Sequence, residues 1–165
     1  PDIDVQVQYA ESFNDAAKGS TIASTMYASG ADVIYQAAGG TGTGVFTAAK
    51  EVNEKLSADS NKKVWVIGVD RDQSAEGNYT SSDKKKSNFV LTSTIKQVGT
   101  VVKDIANDQV KGKEFEGGKT NTYGIKDGGV DIVTSSLPSD IKDAVVKAKD
   151  QIKNGELKPT DGLSK

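Results

Sequence analysis

The sequence predicts an α/β fold in which a parallel sheet is flanked by helices. Apolar runs of strand length, at residues 32–37 and 63–69, alternate with amphipathic stretches of helix length. A glycine-rich turn, residues 39–44, follows the first of these runs and opens a helix. The alternation continues to Val110, which predicts parallel strands joined by right-handed crossovers.

The elements before this turn are predicted from periodicity and capping patterns. Residues 3–9 alternate apolar and polar side chains, as in a half-exposed strand. Ser12 and Asp15 resemble a capping pair for a helix that ends near Ala28. After the glycine turn, a second helix is expected over residues 43–56.

The later elements are less regular. Residues 70–87 are polar and without periodicity, and we predict a long loop there. A short strand is expected at 88–92, followed by a helix over 94–110 with Lys96 just inside its start. Two strands, 120–125 and 130–133, are predicted to join at a glycine turn. Pro138 is expected to start the last helix.

Composition excludes several classes of function. The 165 residues carry 21 basic and 23 acidic side chains, a net charge of −2, which argues against a nucleic-acid partner bound through its phosphates. The sequence has no cysteine and no histidine, which excludes disulfides, thiolate catalysis and a Ser-His-Asp mechanism within this chain. Within these 165 residues we recognise neither an apolar run long enough to span a membrane nor the pattern of a signal peptide.

The glycine-rich turn fails the two common nucleotide-loop patterns. A P-loop needs a lysine after its last glycine, but Val45 and Phe46 follow Gly44. The dinucleotide fingerprint starting at Gly40 would need glycine where Val45 stands. Two interpretations remain open: backbone N–H groups that bind an oxygen-rich ligand, or a tight turn that needs positive φ.

Asp70 ends the apolar run 63–69, at the edge of a parallel sheet where ligands bind. Its carboxylate could accept hydrogen bonds from two vicinal hydroxyls, as a sugar offers, or it could be a turn residue. A calcium loop starting there would need Asp or Asn where Ser74 stands and glycine where Ala75 stands. We therefore predict no metal site.

Phe13 and Lys96 are two further candidates. Phe13 lies among polar neighbours at a helix start, where it could stack on a flat ligand or pack on the first helical turn. A lysine early in a helix opposes the helix dipole, which indicates either a function or an ordinary exposed side chain.

Taken together, these segments resemble the basic membrane protein (BMP) family of bacterial lipoproteins, also called purine nucleoside receptors. The resemblance covers nearly the whole chain. The matching segments are Ser12-Phe-Asn-Asp15, Gly30-Ala-Asp-Val-Ile34, Ala38-Gly-Gly-Thr-Gly-Thr-Gly-Val45, Val66-Ile-Gly-Val-Asp70 with Asp72-Gln73, Leu91-Thr-Ser-Thr-Ile-Lys96 and Tyr123-Gly-Ile-Lys-Asp-Gly-Gly-Val130.

The resemblance implies a periplasmic-binding-protein type I-like fold, in which two α/β lobes close over a nucleoside. This chain resembles only the C-terminal half of such proteins, so we expect a truncated fold with most of the first lobe missing. Residues 1–92 would form the second lobe. Residues 93–165 would supply a crossover helix, a hairpin and a C-terminal helix that complete the lobes.

The resemblance also implies a role for each candidate residue. Phe13 would stack on the purine ring, and the backbone of Gly39 or Gly40 would meet the ribose. Asp70 would bond the ribose hydroxyls, and Lys96 would contact the ribose and the neighbouring carboxylates. No cofactor and no metal are implied.

The function implied is that of an extracellular solute-binding component of an ABC transporter, not an enzyme. It would bind guanosine, inosine or adenosine and deliver them to an ABC permease. The protein would be a lipoprotein of the bacterial cell surface, held at the plasma membrane only by an N-terminal lipid anchor that this chain lacks. The alternatives are a binding protein for another small solute such as a sugar, an enzyme acting on a sugar or nucleoside, or a ligand-free surface protein.

Overall fold

The computed structural model describes residues 3–115 and 117–160. The chain divides into two compact units, which separate after Ser93. The elements are α1 Ala16–Ala28, β1 Val33–Tyr35, α2 Thr43–Asn53, β2 Trp65–Gly68, β3 Asn78–Thr80, β4 Lys86–Asn88, β5 Val90–Lys96, α3 Val98–Val110, β6 Val130–Ile132 and α4 Ser139–Asn154, with single 3₁₀ turns at Gly39–Gly42 and Ser74–Gly77.

The first unit is built on a parallel sheet. Strand β1 pairs parallel with β2, with Ile34 opposite Val66. Strand β2 in turn pairs parallel with the first half of β5, with Gly68 opposite Ser93. Helix α2 connects the first two strands. The predicted α/β class with a parallel sheet and flanking helices is therefore confirmed.

The core of this unit lies between the sheet and helices α1 and α2, whose backbones approach very closely. A Cβ atom added at Gly19 would lie 2.1 Å from the carbonyl oxygen of Thr41, and one at Gly44 would lie 2.0 Å from that of Ala16. Only glycine allows this packing. The buried apolar side chains are those of Ala23, Tyr27, Ile34, Val45, Phe46, Ala48, Ala49, Val64, Val66, Tyr79, Phe89 and Val90.

Asn53, at the end of α2, fixes the segment that enters β2. Its side chain is fully buried. The amide Nδ2 donates to the Val64 carbonyl at 2.9 Å, and Oδ1 accepts from the Val64 N–H at 3.1 Å. One side chain thus satisfies both backbone polar groups of a buried residue that precedes the strand.

Two predictions near the N-terminus are wrong. Residues 3–9 form no strand: no other described segment pairs with them, and Ile3 and Val5 are 77% and 76% exposed. Asp15, not Ser12, caps α1: its carboxylate accepts from the Lys18 N–H at 2.9 Å.

The predicted loop over residues 70–87 is also wrong in part, since it contains the antiparallel pair β3–β4. Ser81 stabilises the turn between these strands: its backbone N–H donates to the Lys85 carbonyl, and its hydroxyl donates to the Asp83 carboxylate at 2.5 Å. The pKa of Asp83 is lowered to about 2, first by this hydroxyl and then by the Ala58 N–H. Because the residues in and around this turn are polar, hydrophobic periodicity does not reveal the strand pair.

In the second unit, the last residues of β5 pair antiparallel with β6, with Lys96 opposite Val130. Helix α3 starts only at Val98, so Lys96 lies at the end of a strand and the predicted helical position is wrong. The predicted strand over 120–125 is absent. The chain instead makes a tight turn in which the Gly129 N–H donates to the Gly124 carbonyl.

The last helix starts after Pro138, as predicted, and ends at Asn154, where Gly155 with φ 81° is the C-cap. Among the described residues, no helix combines the length and the apolar character needed to cross a membrane. The two units separate after Ser93, according to the contacts within this chain. The assignment of residues 1–92 to a second lobe, and of residues 93–165 to the segments that complete the lobes, stays a prediction.

Candidate functional site

The site predicted in the first unit lies where β1 and β2 end. Because these strands are parallel and in register, with Tyr35 opposite Ile67, the segments that follow them leave the sheet at the same edge. The segment after β1 carries the glycine turn, and the segment after β2 carries Asp70. This edge is where ligands bind in open α/β sheets.

Thr41 joins the glycine turn to the loop before α1. Its side chain is 1% exposed, and its hydroxyl donates to the Ser12 carbonyl at 2.8 Å while accepting from the Asp15 N–H at 2.9 Å. Its backbone N–H donates to the Phe13 carbonyl at 3.1 Å. Three hydrogen bonds from one residue therefore fix the backbone on both sides of Phe13.

The side chain of Phe13 stands beside the glycine turn and is 74% exposed. A Cβ atom added at Gly39 would lie 3.2 Å from Cδ1 of the Phe13 ring, and one at Gly40 would lie 3.0 Å from the Phe13 carbonyl oxygen. Gly39 also has φ +57°. The interpretation as a tight turn that needs positive φ is therefore confirmed at Gly39, and the binding of a ligand by the backbone N–H groups of the turn stays a prediction.

Asp70 occupies an unusual backbone position. Its φ is +69°, in the left-handed region that few residues other than glycine adopt. The Arg71 N–H donates to the Val69 carbonyl at 2.8 Å across it, which is the hydrogen bond of a three-residue γ-turn. The side chain is exposed at the end of the strand. A strained residue held at a strand end is typical of functional sites.

The charges around Asp70 favour a neutral, hydroxyl-bearing ligand over a phosphate. Arg71 is paired with Glu76, with 2.5 Å between its guanidinium and the carboxylate. The Ser74 hydroxyl and N–H lower the pKa of Asp72, which keeps this second carboxylate charged. No group of acidic side chains in the described ranges is arranged to hold a metal ion.

Sequence reasoning missed the buried polar groups beneath this edge. Gln36 is 4% exposed and Gln73 is 8% exposed. The Gln36 amide donates to Gln73 Oε1 at 2.8 Å, and the Gln73 N–H donates to the Ser93 hydroxyl at 3.1 Å. Gln36 falls within the apolar run 32–37 and Gln73 within the polar stretch 70–87, and no sequence pattern marks either side chain as buried.

The structure therefore brings together Phe13, Gly39 and Gly40, and it places Asp70 at the same sheet edge. Lys96 belongs to the second unit, at the end of β5. The first unit has an open depression of about 420 Å3, but it is lined by residues such as Met26 and Gly30 and by none of the candidates. The candidate site is an open surface within its unit.

Comparisons with known proteins agree with this architecture. The family model for ABC transporter substrate-binding proteins of the PnrA-like type (Bmp) matches residues 1–160. The chain is 59% identical over 156 residues to the ABC transporter nucleoside-binding protein BmpA of Lactococcus lactis. That match covers 94% of this chain and 44% of the relative.

Two further relatives also match nearly the whole of this chain over less than half of their own length. Identity is 45% to the CD4+ T-cell-stimulating antigen of Listeria monocytogenes, over 96% of this chain and 44% of that protein. It is 34% to basic membrane protein A of Borreliella afzelii, over 94% of this chain and 43% of that protein. The chain thus spans less than half the length of these relatives.

The solved structures share the fold at low identity. A transcriptional activator of the comK gene from Bacillus halodurans has a TM-score of 0.70 and 23% identity, over 93% of this chain and 48% of that one. An ABC transporter solute-binding protein from Aeropyrum pernix has a TM-score of 0.68 and 24% identity, over 98% of this chain and 50% of that one.

Proposed function

The chain belongs to the PnrA-like (Bmp) family of ABC transporter substrate-binding proteins, and from this premise we propose that it forms part of a receptor for purine nucleosides. The proposed ligands are guanosine, inosine and adenosine. The name of the Lactococcus lactis relative supports nucleosides as the class of ligand.

One observation carries the proposal: an exposed aromatic ring stands against a glycine turn, at the edge of the sheet where β1 and β2 end and where Asp70 also lies. The ring of Phe13 is open on its outer side, and Gly39 leaves no side chain between it and the backbone of the turn. A flat base stacks on such a ring, with a gain of about 1–3 kcal/mol per base.

The ribose would bind beside the base. In our proposal, its vicinal hydroxyls donate to the carboxylate of Asp70, and the backbone of Gly39 or Gly40 approaches its ring. Hydrogen bonds to an ionised acceptor contribute about 1.5–3 kcal/mol each. The proposed role of Lys96, a contact to the ribose and to the neighbouring carboxylates, is carried by the family resemblance.

The proposed partners follow from the family. The receptor would deliver its ligand to an ABC permease at the bacterial cell surface, and a lipid anchor on an N-terminal segment outside this chain would hold it at the membrane. Closure of two lobes around the ligand would create the surface that the permease recognises. The rest of the binding cleft would come from a first lobe outside this chain.

A binding protein for another solute, such as a sugar, is the second candidate, because the acidic strand-end edge would suit any ligand rich in hydroxyls. An enzyme acting on the nucleoside is less favoured. Asp70 would then need a partner carboxylate at about 5–10 Å that faces the same bond. The description of the family names substrate binding, and free base released from a bound nucleoside would contradict our proposal of binding without turnover.

A thermal-shift panel on the full-length protein tests the ligand class. Stabilisation by guanosine, inosine or adenosine, but not by free bases or ribose, is the expected result. A shift with a sugar and none with a nucleoside would overturn the choice of ligand.

Calorimetry on matched variants tests the site. Asp70→Asn keeps the size and the tolerance of positive φ but removes the charge, and we expect nucleoside affinity to fall at least about tenfold. Asp72→Asn makes the same change two residues after Asp70 and is the control; it should change nucleoside affinity less than about twofold. Equal affinity in both variants would exclude Asp70 as the ribose acceptor.

A further inference from the structure

A buried glutamine lies directly under the strand end that carries Asp70. Oε1 of Gln73 accepts two hydrogen bonds, from the Val69 N–H at 2.9 Å and from the Gln36 amide at 2.8 Å. Its own backbone N–H donates to the Ser93 hydroxyl at 3.1 Å. One residue therefore connects the segments that follow β1 and β2 with strand β5.

These bonds act on the turn that contains Asp70. Val69 is held on both sides, since its N–H is bound by the Gln73 side chain and its carbonyl by the Arg71 N–H. Asp70 lies between Val69 and Arg71, within the turn that the second of these bonds closes, and has φ +69°. A residue other than glycine keeps such a conformation only where its surroundings determine it.

The fit around the glutamine amide is tight. A Cβ atom added at Gly68 would lie 2.9 Å from Gln73 Oε1 and 2.5 Å from the Ser93 hydroxyl. No side chain can therefore separate the amide from the end of β2. An amide oxygen offers two lone pairs without a charge, so glutamine supplies both bonds at a site where a buried carboxylate would be costly.

We propose that Gln73 is a positioning residue for the ribose-binding carboxylate: by holding the backbone of Val69, it keeps Asp70 aimed at the ligand hydroxyls. This inference rests on the proposed nucleoside site. Gln73 contacts no ligand itself. The Gln73 amide also accepts a hydrogen bond from Gln36, which lies three residues before Gly39. It thereby connects the segment that leads into the glycine turn with the turn that contains Asp70.

The test compares inosine with 2′,3′-dideoxyinosine, which lacks the hydroxyls that Asp70 would bind. Calorimetry on the full-length protein should give a wild-type affinity ratio of at least about tenfold in favour of inosine. Gln73→Met keeps the length of the side chain and removes the acceptor. We expect it to lower this ratio at least about fivefold, with dideoxyinosine affinity changed less than about twofold.

Gln109→Met makes the same chemical change at an exposed position of α3 and should leave both affinities unchanged. Equal weakening of inosine and dideoxyinosine by Gln73→Met would mean a general structural role and would overturn the inference. An unchanged ratio would overturn it as well. Neither result bears on the proposed function, which fails if the wild-type protein binds no nucleoside.

Amide hydrogen exchange gives a second measurement that needs no ligand. In Gln73→Met, the Val69 amide should exchange at least about tenfold faster, while the Val66 amide, which donates to the Phe89 carbonyl, keeps its protection. Unchanged protection at Val69 would refute the inference whatever binds to the protein. Loss of protection at both amides would indicate general unfolding and would refute it too.

Discussion

The contact between Gly39 and Phe13 leads to a prediction that separates backbone strain from loss of the binding surface. Gly39→Ala adds a methyl group at a residue with φ +57°, and the new carbon would lie 3.2 Å from Cδ1 of the Phe13 ring. The left-handed conformation costs a residue with a Cβ atom about 1–2 kcal/mol. Since carbon atoms pack best at about 3.5–4.0 Å, the ring must also move by a few tenths of an ångström or more.

The two costs fall on different properties of the protein. Because the Phe13 side chain is 74% exposed, its ring can turn into solvent, and the clash should add little to the loss of folding stability. A displaced ring no longer offers the same face to a base, however. If stacking contributes about 1–3 kcal/mol, nucleoside affinity should fall at least about fivefold.

Gly128→Ala is the matched control, because Gly128 has φ +69° and an added Cβ atom would meet nothing within 4 Å. Urea unfolding should show losses of about 1–2 kcal/mol for both variants. Calorimetry with inosine should show weaker binding for Gly39→Ala only. Unchanged inosine affinity in Gly39→Ala would refute the link between the turn and the aromatic face.

Three further predictions concern buried or paired groups. Asn53→Leu leaves both backbone polar groups of Val64 unpaired, so the free energy of unfolding should fall by about 2–5 kcal/mol, and a loss below about 1 kcal/mol in urea unfolding would contradict the pairing. Ser81→Ala should raise the pKa of Asp83 from about 2 toward its usual value, as measured by carboxyl NMR. Because the pKa of Asp83 is lower in the folded than in the unfolded protein, its ionised carboxylate stabilises the fold above the unfolded pKa of about 4, and this stabilisation is lost as the pH falls toward about 2. The free energy of unfolding of the variant should therefore fall less over that pH range. An unmoved Asp83 pKa in the variant would exclude the hydroxyl as the cause. Gln36→Met removes the buried amide that donates to Gln73 Oε1 at 2.8 Å, so the free energy of unfolding should fall by about 1–3 kcal/mol in urea unfolding, and an unchanged stability would contradict the contribution of this hydrogen bond.

The parallel sheet and its helices could be predicted because their signals are local. Strand β2 is an apolar run, α2 begins after a glycine turn, and α4 begins after Pro138, so periodicity and punctuation are sufficient. The positions of Phe13, Gly39 and Asp70 at strand and helix ends follow from the same pattern, since parallel strands bring their carboxyl ends to one edge.

The rest depends on partners distant in sequence. Residues 3–9 carry a strand pattern but have no neighbouring strand among the described residues. The helical spacing of residues 94–110 predicts Lys96 inside a helix, yet pairing with β6 extends β5 through it. The bonds of Gln73 to Gln36 and Ser93 cross 37 and 20 positions, and no local pattern encodes them.

The three hydrogen bonds of Thr41 have a thermodynamic consequence. Because they fix the backbone on both sides of Phe13 when the chain folds, the conformational entropy of that segment is lost during folding and not again when a ligand arrives. The aromatic face is therefore preorganised, and a ligand that stacked on it would not have to order the backbone of this segment again.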